Sequence, residues 1–266
     1  MKKYFLAASL LTAALAGQAQ QKEGKVIYER VSQIQIRIND MPGMEQDMPR
    51  TRTDKFELSF ANNQSLWKQA EQENNDDGSF TTDGGAQIRM IVAGNDDVLF
   101  TNYETGKRVE KRDMMDRTFI IDDTISKLKW KMTGETKTIL NMPCMKATTS
   151  RISSRMMMNM DNGKMERKEV QDTSTIVAWF TTSIPVSAGP GEFQGQLPGL
   201  ILEMDVSNGR QVFKAVKITD KADLAVIKEP TGKKRYTAEE YRKERDKMLE
   251  EMSRNNQGGQ RIIRMN

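Results

Sequence analysis

Apolar and polar residues alternate along much of this chain. The alternation is clear over residues 34–38 and again over 56–60, where every second residue is Ile, Leu or Phe. Because successive side chains of a β-strand point to opposite faces of the sheet, this pattern predicts strands with one buried face. Four further short segments have strand character and lie between turn-forming residues: 88–92, 98–103, 117–121 and 128–132.

Two Asn-Gly pairs predict β-hairpins. Asn-Gly is favoured at the two central positions of a type I′ turn, which require positive φ angles. The Asn162-Gly163 pair follows the strand-like residues 150–158, and the Asn208-Gly209 pair follows 200–206. The chain is therefore predicted to be mainly β, with a single antiparallel, strongly curved sheet or a partly open barrel.

The strongest helix signal lies near the C-terminus. Thr237 and Glu240 have the spacing of a capping box, in which each side chain bonds the other residue's backbone N–H. Opposite charges four residues apart follow, so the sequence predicts a polar helix over 238–252. The predicted organisation is a signal peptide at 1–19, a β-rich domain at 20–227, a charged helical extension at 228–252 and a disordered tail at 253–266.

The N-terminus has the features of a secretory signal peptide. Lys2 and Lys3 precede the apolar stretch 4–16, and small residues stand at the −3 and −1 positions of a cleavage site before Gln20. No cysteine follows that site directly, which argues against a lipid anchor. The predicted product is periplasmic or secreted, soluble, and without a transmembrane segment after cleavage.

Composition narrows the chemistry further. The formal charge is +4 and falls by two when the leader is removed, so nucleic-acid binding has little support. The chain has no histidine, which removes Ser-His-Asp and Cys-His catalysis and the usual ligands of catalytic zinc. Cys144 is the only cysteine and is predicted to be a small buried apolar residue. We therefore predict no catalytic residue, no metal site and no cofactor.

One apolar segment is interrupted by two residues with special backbone properties. Pro198 fixes φ and lacks an N–H, whereas Gly199 accepts a positive φ at no steric cost. The pair is predicted to form the centre of a type II turn, with positive φ at Gly199, that leads into a strand. The structural signature consists of Leu197, Pro198, Gly199, Leu200 and Ile201.

Three ordered blocks of sequence end in this signature. They span residues 130–147, 179–190 and 195–203, and the first contains a Trp strand and a Cys-x-Lys-Ala segment. Together they resemble the GLPGLI family of Gram-negative envelope proteins, which is largely uncharacterised, with Gln196 in place of the signature's first Gly. The resemblance implies an envelope location but no biochemical activity.

Methionines are dense in one predicted strand, around Met156 and Met158. Thioethers suit Cu(I), but alternate residues of a strand face opposite sides, so these methionines could not all meet one ion. Flexible Met side chains are better suited to an apolar binding surface. The predicted ligand contacts are Met156, Met158 and Trp179.

Two classes of function remain open. In the first, a non-enzymatic exported envelope protein binds a lipid, acyl chain or other hydrophobic ligand on a concave sheet face, similar by fold-level analogy to lipoprotein carriers. In the second, the protein is an interaction module. It would pair with an outer-membrane receptor or another envelope protein through an edge strand or through the loops 39–49 and 71–85.

Overall fold

A computed structural model of the protein describes residues 22–33, 51–71, 79–81, 87–89, 97–114, 116–161 and 164–257. Within these ranges, the side chains of 79–81, 87–89, 153–170 and 252–257 are not described. The predicted signal peptide, the alternation at 34–38 and the loop 39–49 lie outside the described residues.

One twelve-stranded sheet dominates the described structure. Its strands are β1 (Gly24–Gln33), β2 (Thr51–Ala61), β3 (Gln64–Gln69), β6 (Val98–Asn102), β7 (Lys107–Met114), β8 (Arg117–Thr124), β9 (Lys131–Ile139), β10 (Met142–Asp161), β11 (Lys164–Thr181), β12 (Leu200–Val206), β13 (Gln211–Thr219) and β14 (Arg235–Thr237). A separate two-stranded sheet consists of β4 (Ser79–Thr81) and β5 (Gln87–Arg89), so the predicted loop 71–85 contains a short strand.

The large sheet is open. Its strands lie in the order β14-β8-β7-β6-β3-β2-β1-β13-β12-β11-β10-β9, and β9 is not paired with β14. The mainly β prediction is confirmed, and the long sheet is not closed into a barrel. All neighbouring strands are antiparallel except β14, which pairs parallel to β8 and covers that edge. Register shifts at 27/28, 145/147 and 179/180 interrupt the ladders, and such bulges bend and twist a strand locally.

One face of the sheet, called the inner face here, carries most of the core. Alternate residues of β1 to β3 place Val26, Tyr28, Leu58, Phe60 and Trp67 on this face, and each is at most 8% exposed. Burying a large apolar side chain contributes about 1.5–3 kcal/mol before the cost of ordering the chain. The period-two pattern thus accounts for both the strands and the core.

Residues with positive φ form the tight hairpin turns. Asn62 and Asn63, with φ of 51° and 59°, join β2 to β3, and Asn208 and Gly209, with φ of 54° and 84°, join β12 to β13. The predicted hairpin at Asn208-Gly209 is confirmed. The predicted pairing of the strands on either side of residues 162–163 is confirmed by β10 and β11, although both strands are longer than expected. The turn residues 162–163 themselves lie outside the described residues.

Leu140 occupies the same kind of turn between β9 and β10 with φ of 48° and is 40% exposed. Left-handed backbone costs an ordinary L-residue about 1 kcal/mol, while Asn tolerates it. Leu140→Asn is therefore expected to stabilise the protein by about 0.5–1 kcal/mol, measured as the free energy of unfolding in urea. Leu224→Asn is the matched control, because Leu224 is 51% exposed and is not among the residues with positive φ. Equal effects of the two substitutions would contradict the backbone explanation.

The connection between β11 and β12, residues 182–199, packs against the inner face and is called the signature loop. The Tyr28 hydroxyl donates to the backbone carbonyl of Ile201 at 2.5 Å, just after the loop ends. Within the loop, buried Gln194 accepts a hydrogen bond from Ser65 on β3, and its Oε1 lies 3.0 Å from the Tyr103 hydroxyl. The loop therefore occupies much of the apolar face that the sequence suggested as a ligand surface.

The predicted type II turn at Pro198-Gly199 is wrong, because Gly199 is not among the glycines with positive φ. The glycine is required for a different reason. A Cβ on Gly199 would lie well under 3.0 Å from the Thr181 carbonyl oxygen and 2.9 Å from its carbonyl carbon. The absence of a side chain lets the end of the signature loop cross the end of β11.

The C-terminal helix α1 (Ala238–Gln257) begins at the predicted capping box. The Thr237 N–H donates to Glu240 Oε2 at 2.7 Å, and the Glu240 N–H donates to Thr237 Oγ1 at 3.2 Å. The helix ends five residues beyond the predicted boundary, at the residue before Gly258, a residue type that commonly ends helices. Tyr241 and Met248 are buried against β8, so the helix is docked on the sheet.

Candidate functional site

A cleft of about 350 Å3 lies on the inner face where the signature loop meets β1, β2, β3, β6, β7 and β13. The short 3-10 turn Gly191–Phe193 of the loop forms one wall. The cleft combines aromatic side chains with arginines. Its aromatic residues are Phe56, Trp67, Phe193 and Phe213, and its arginines are Arg30, Arg52, Arg108 and Arg112.

Trp67 is the centre of the aromatic floor. Its ring stacks on Phe56 with centroids 4.9 Å apart and an interplanar angle of 10°. The Tyr28 and Phe213 rings approach it at 5.4 Å and 6.2 Å in tilted or edge-on arrangements. These geometries are favourable for aromatic pairs and hold Trp67 in a fixed orientation. The floor is a preformed flat apolar surface.

A buried carboxylate organises two of the arginines. Asp54 is 1% exposed and pairs with Arg30 at 2.7 Å and with Arg52 at 2.6 Å. The antiparallel register of β1 with β2 sets Arg30 directly opposite Asp54. One anion thus faces two cations, so this group of three side chains carries a net positive charge. The buried Nε of Arg30 has no hydrogen-bond partner among the described residues. Arg30 also lies 4.6 Å from the centre of the Phe56 ring.

The opposite wall is a charged ladder on β7. Arg108, Glu110 and Arg112 alternate along the strand, so all three side chains point to one face. Arg112 pairs with Glu110 at 2.6 Å. The Arg108 side chain, by contrast, makes no hydrogen bond or ion pair with any residue that the structure describes. Beside the ladder, burial raises the pKa of the Asp97 carboxyl.

These features favour binding of a particular chemical type. Guanidinium groups recognise carboxylates and other oxyanions through paired N–H donors, and flat rings accept an apolar body. No group of three or more His, Cys, Asp and Glu residues in the described part of the chain is arranged to hold a metal ion. The cleft is thus suited to an organic anion with an apolar portion.

Of the ligand contacts predicted from sequence, Trp179 does not line this cleft. Trp179 lies on β11, where Lys137 Nζ and Lys146 Nζ approach its ring centre at 4.3 Å and 5.8 Å. Met156 and Met158 lie on β10, paired in register with Glu169 and Arg167, and their side chains are outside the described residues. A ligand role for these three residues stays a prediction.

The signature residues shape the loop that walls the cleft. Leu197, Leu200 and Ile201 are each at most 3% exposed, and Pro198 is exposed. Their packing gives the signature a structural role in the described fold. Cys144 is buried as expected, and burial raises the pKa of its thiol.

Gln196, directly before the signature residues, connects the loop to the β8–β9 connection by hydrogen bonds. Its Oε1 accepts from the Leu128 N–H at 3.0 Å and from Trp130 Nε1 at 3.4 Å. Its Nε2 donates to the Ser126 carbonyl at 2.9 Å. These contacts join the first and last of the three sequence blocks in space.

Sequence reasoning missed the arginines of the cleft. The alternation of Arg108, Glu110 and Arg112 was a readable signal, since same-face charges on a strand are unusual in a core. Arg52 and Asp54 also alternate along β2. The approach of Arg30 gave no comparable signal, because it depends on the pairing of β1 with β2.

Comparisons with known proteins support an uncharacterised family and a fold. A family model described as a protein of unknown function, Porph_ging, matches residues 130–203. This range begins in the first of the three sequence blocks and ends with the third, and it runs from just before β9 to the middle of β12. No curated protein matches the chain.

Two solved structures of PNGF-II are similar to this chain. The structure in space group P21 is 17% identical with a TM-score of 0.50 and covers 84% of this chain and 32% of its own. The structure in space group C2 is 17% identical with a TM-score of 0.48 and covers 81% of this chain and 30% of its own. This chain thus corresponds to about a third of that protein, and the P21 likeness concerns the fold alone. Among the described residues, no helix is long and apolar enough to cross a membrane.

Proposed function

We propose that this protein is a non-enzymatic, exported envelope protein of the GLPGLI family that binds an amphipathic organic anion, such as a fatty acid, in the arginine and aromatic cleft. The leader and the three sequence blocks support the exported location and the family. The Porph_ging match supports an uncharacterised family over the same blocks.

The observation that carries the proposal is the arrangement of charge around Trp67. Arg30 and Arg52 share the single buried carboxylate of Asp54, and Arg108 faces the same cleft without a partner among the described residues. Buried and half-buried guanidinium groups that lack full pairing favour an incoming anion. The aromatic floor beside them accepts the apolar chain.

The expected ligand is a lipid or acyl chain that carries an acid group. A purely apolar ligand would need the apolar inner face, which the signature loop already covers. The cleft volume of about 350 Å3 lies at the small end of the range for ligand pockets, which suits a single medium-length chain.

Tryptophan fluorescence tests this proposal. The chain has three tryptophans, so replacing Trp130 and Trp179 by Phe leaves Trp67 as the only reporter. Titration with decanoate is expected to change Trp67 emission in a saturable manner, and decanol is expected to bind more weakly. Arg52→Gln is expected to weaken decanoate binding about tenfold, because it removes one charge-assisted contact while Arg30 still pairs with Asp54.

Arg210→Gln is the matched control, because Arg210 is exposed, pairs with Asp172 at 3.3 Å and does not line the cleft. Its decanoate affinity is expected to equal that of the unmodified protein. Saturable binding that is insensitive to Arg52→Gln, or no response of Trp67 at all, would contradict the proposal.

The interaction module is the second candidate. Strand β9 lies at an edge of the large sheet, pairs only with β10 within the described structure and is mostly exposed. Such an edge offers backbone N–H and C=O groups to a strand of another envelope protein. Absence of decanoate binding together with co-purification of a protein from the envelope would favour this candidate.

A further inference from the structure

A second cavity of about 210 Å3 lies between the β7–β8 hairpin and the helix α1. It is separate from the aromatic floor, and the charged ladder Arg108, Glu110 and Arg112 lines both cavities. From the helix side, Arg242 and Arg245 point into it. Its base contains the apolar side chains of Ile121 and Ala238 and the ring of Tyr241.

The charge of this cavity is strongly one-sided. Four arginines line it, against two carboxylates, Glu110 and Asp123. Arg112 is held in place by Glu110 at 2.6 Å, and Arg245 pairs with Asp246 at 2.8 Å, which is not a lining residue. Neither the Arg108 side chain nor the Arg242 side chain makes a hydrogen bond or an ion pair with a described residue. Two guanidinium groups from opposite walls therefore remain available.

We propose that this cavity, called the α1 pocket, binds a phosphate group through Arg108 and Arg242. Donors that approach from a strand on one side and a helix on the other suit a tetrahedral group, whose oxygens point in several directions. A planar carboxylate presents its two oxygens to one side only. The cavity is small, which limits the bound part of the ligand to the phosphate and its nearest atoms.

The position of Arg242 depends on the docking of the helix. Tyr241 and Met248 anchor α1 against Phe119 and Ile121, and the Tyr241 ring packs edge-on against Phe119 at 5.2 Å. Arg242 follows the buried Tyr241 directly and is itself exposed. Replacing Arg242 therefore alters the pocket and leaves the anchoring contacts in place.

Calorimetric titration of the full protein tests the α1 pocket. The probes are inorganic phosphate and dihexanoyl phosphatidic acid, both at constant ionic strength maintained with chloride. Arg242→Gln is expected to weaken binding of the effective probe about tenfold, because one charge-assisted pair is lost. Lys243→Gln is the matched control, since Lys243 carries the same charge on the next residue, pairs with Glu239 at 2.8 Å and does not line the pocket.

The two probes distinguish the source of the phosphate group. Equal binding of both probes indicates that the free ion suffices, and binding of the phosphatidic acid alone indicates an ester. Either result supports phosphate binding in the α1 pocket if Arg242→Gln weakens the binding and Lys243→Gln does not. Binding of neither probe, or equal weakening by both substitutions, overturns the proposal.

The outcome is separable from that of the proposed function. Arg52 lines only the aromatic cleft, and Arg242 lines only the α1 pocket. Arg52→Gln is expected to leave phosphate binding unchanged, and Arg242→Gln is expected to leave decanoate binding unchanged. If the unmodified protein does not bind decanoate but binds phosphate in an Arg242-dependent manner, that result counts against the proposal for the aromatic cleft alone.

Discussion

Gly199→Ala is expected to destabilise the protein by about 3 kcal/mol or more, the upper range for overpacking a well-packed site. The new Cβ would lie well under 3.0 Å from the Thr181 carbonyl oxygen and 3.2 Å from the Phe180 ring. Both obstacles lie in or beside the core, since Thr181 and Phe180 are fully buried. A backbone carbonyl cannot rotate away as a flexible side chain can, so β11 and the signature loop must separate.

Gly191→Ala is the matched control, because it adds the same methyl group eight residues earlier in the loop, in open space. Gly191 has φ of 52°, and a Cβ at this position would have no neighbouring atom within 4 Å. Its only penalty is backbone strain, so the expected cost is about 1 kcal/mol. Urea unfolding followed by circular dichroism measures both values. If Gly199→Ala costs no more than Gly191→Ala, the close approach at Thr181 is not what requires the glycine.

Local signals in the sequence predicted much of the fold. The capping box at Thr237 and Glu240 and the turn at Asn208-Gly209 depend only on residues a few positions apart, and both are found. Alternation likewise identified strands such as 56–60, because the side chains of a strand alternate whatever its neighbours are.

Features that depend on distant pairing could not be predicted in this way. Gly199 meets Thr181 only because the signature loop returns across the end of β11. The Pro-Gly pair by itself is equally consistent with a type II turn, so the sequence did not distinguish the two arrangements. The cleft depends on the pairing of β3 with β6, which are separated by 28 residues of chain, and on the loop that lies over them. The charge alternation on β7 was visible in the sequence. The residues that face β7 across the cleft could not be identified from the sequence, because they lie on other strands and on the signature loop.

Raising the pH above about 10 is expected to unfold the protein steeply, because two tyrosines keep their protons in the folded state. Burial raises the pKa of Tyr28 well above its usual value, and the nearby Tyr103 raises it further. Burial also raises the pKa of Tyr103, against the opposing effect of its hydrogen bond with Ser65. In the unfolded chain both hydroxyls ionise near pH 10, so the unfolded state binds fewer protons there than the folded state.

Proton linkage gives the direction of the pH dependence. Below about pH 10 both tyrosines are protonated in the folded and the unfolded state, so their contribution to stability is fully present. Above about pH 10 the free energy of unfolding falls, because only the unfolded state loses these protons. Each tyrosine is expected to lower the free energy of unfolding by about 1.4 kcal/mol per pH unit until its folded-state pKa is reached. Urea unfolding at intervals between pH 9 and 11.5 measures the slope.

Phe substitutions separate the tyrosine contribution from that of the many lysines. Tyr103→Phe retains the bond between Ser65 and Gln194, and Tyr28→Phe loses the bond to the Ile201 carbonyl at a cost of about 1 kcal/mol at neutral pH. Each substitution is expected to reduce the alkaline slope by about 1.4 kcal/mol per pH unit, and the double variant by about twice that. Lysines titrate in all variants and cancel in the comparison. An alkaline slope that is the same in the double variant and the unmodified protein would show that neither buried hydroxyl governs unfolding at high pH.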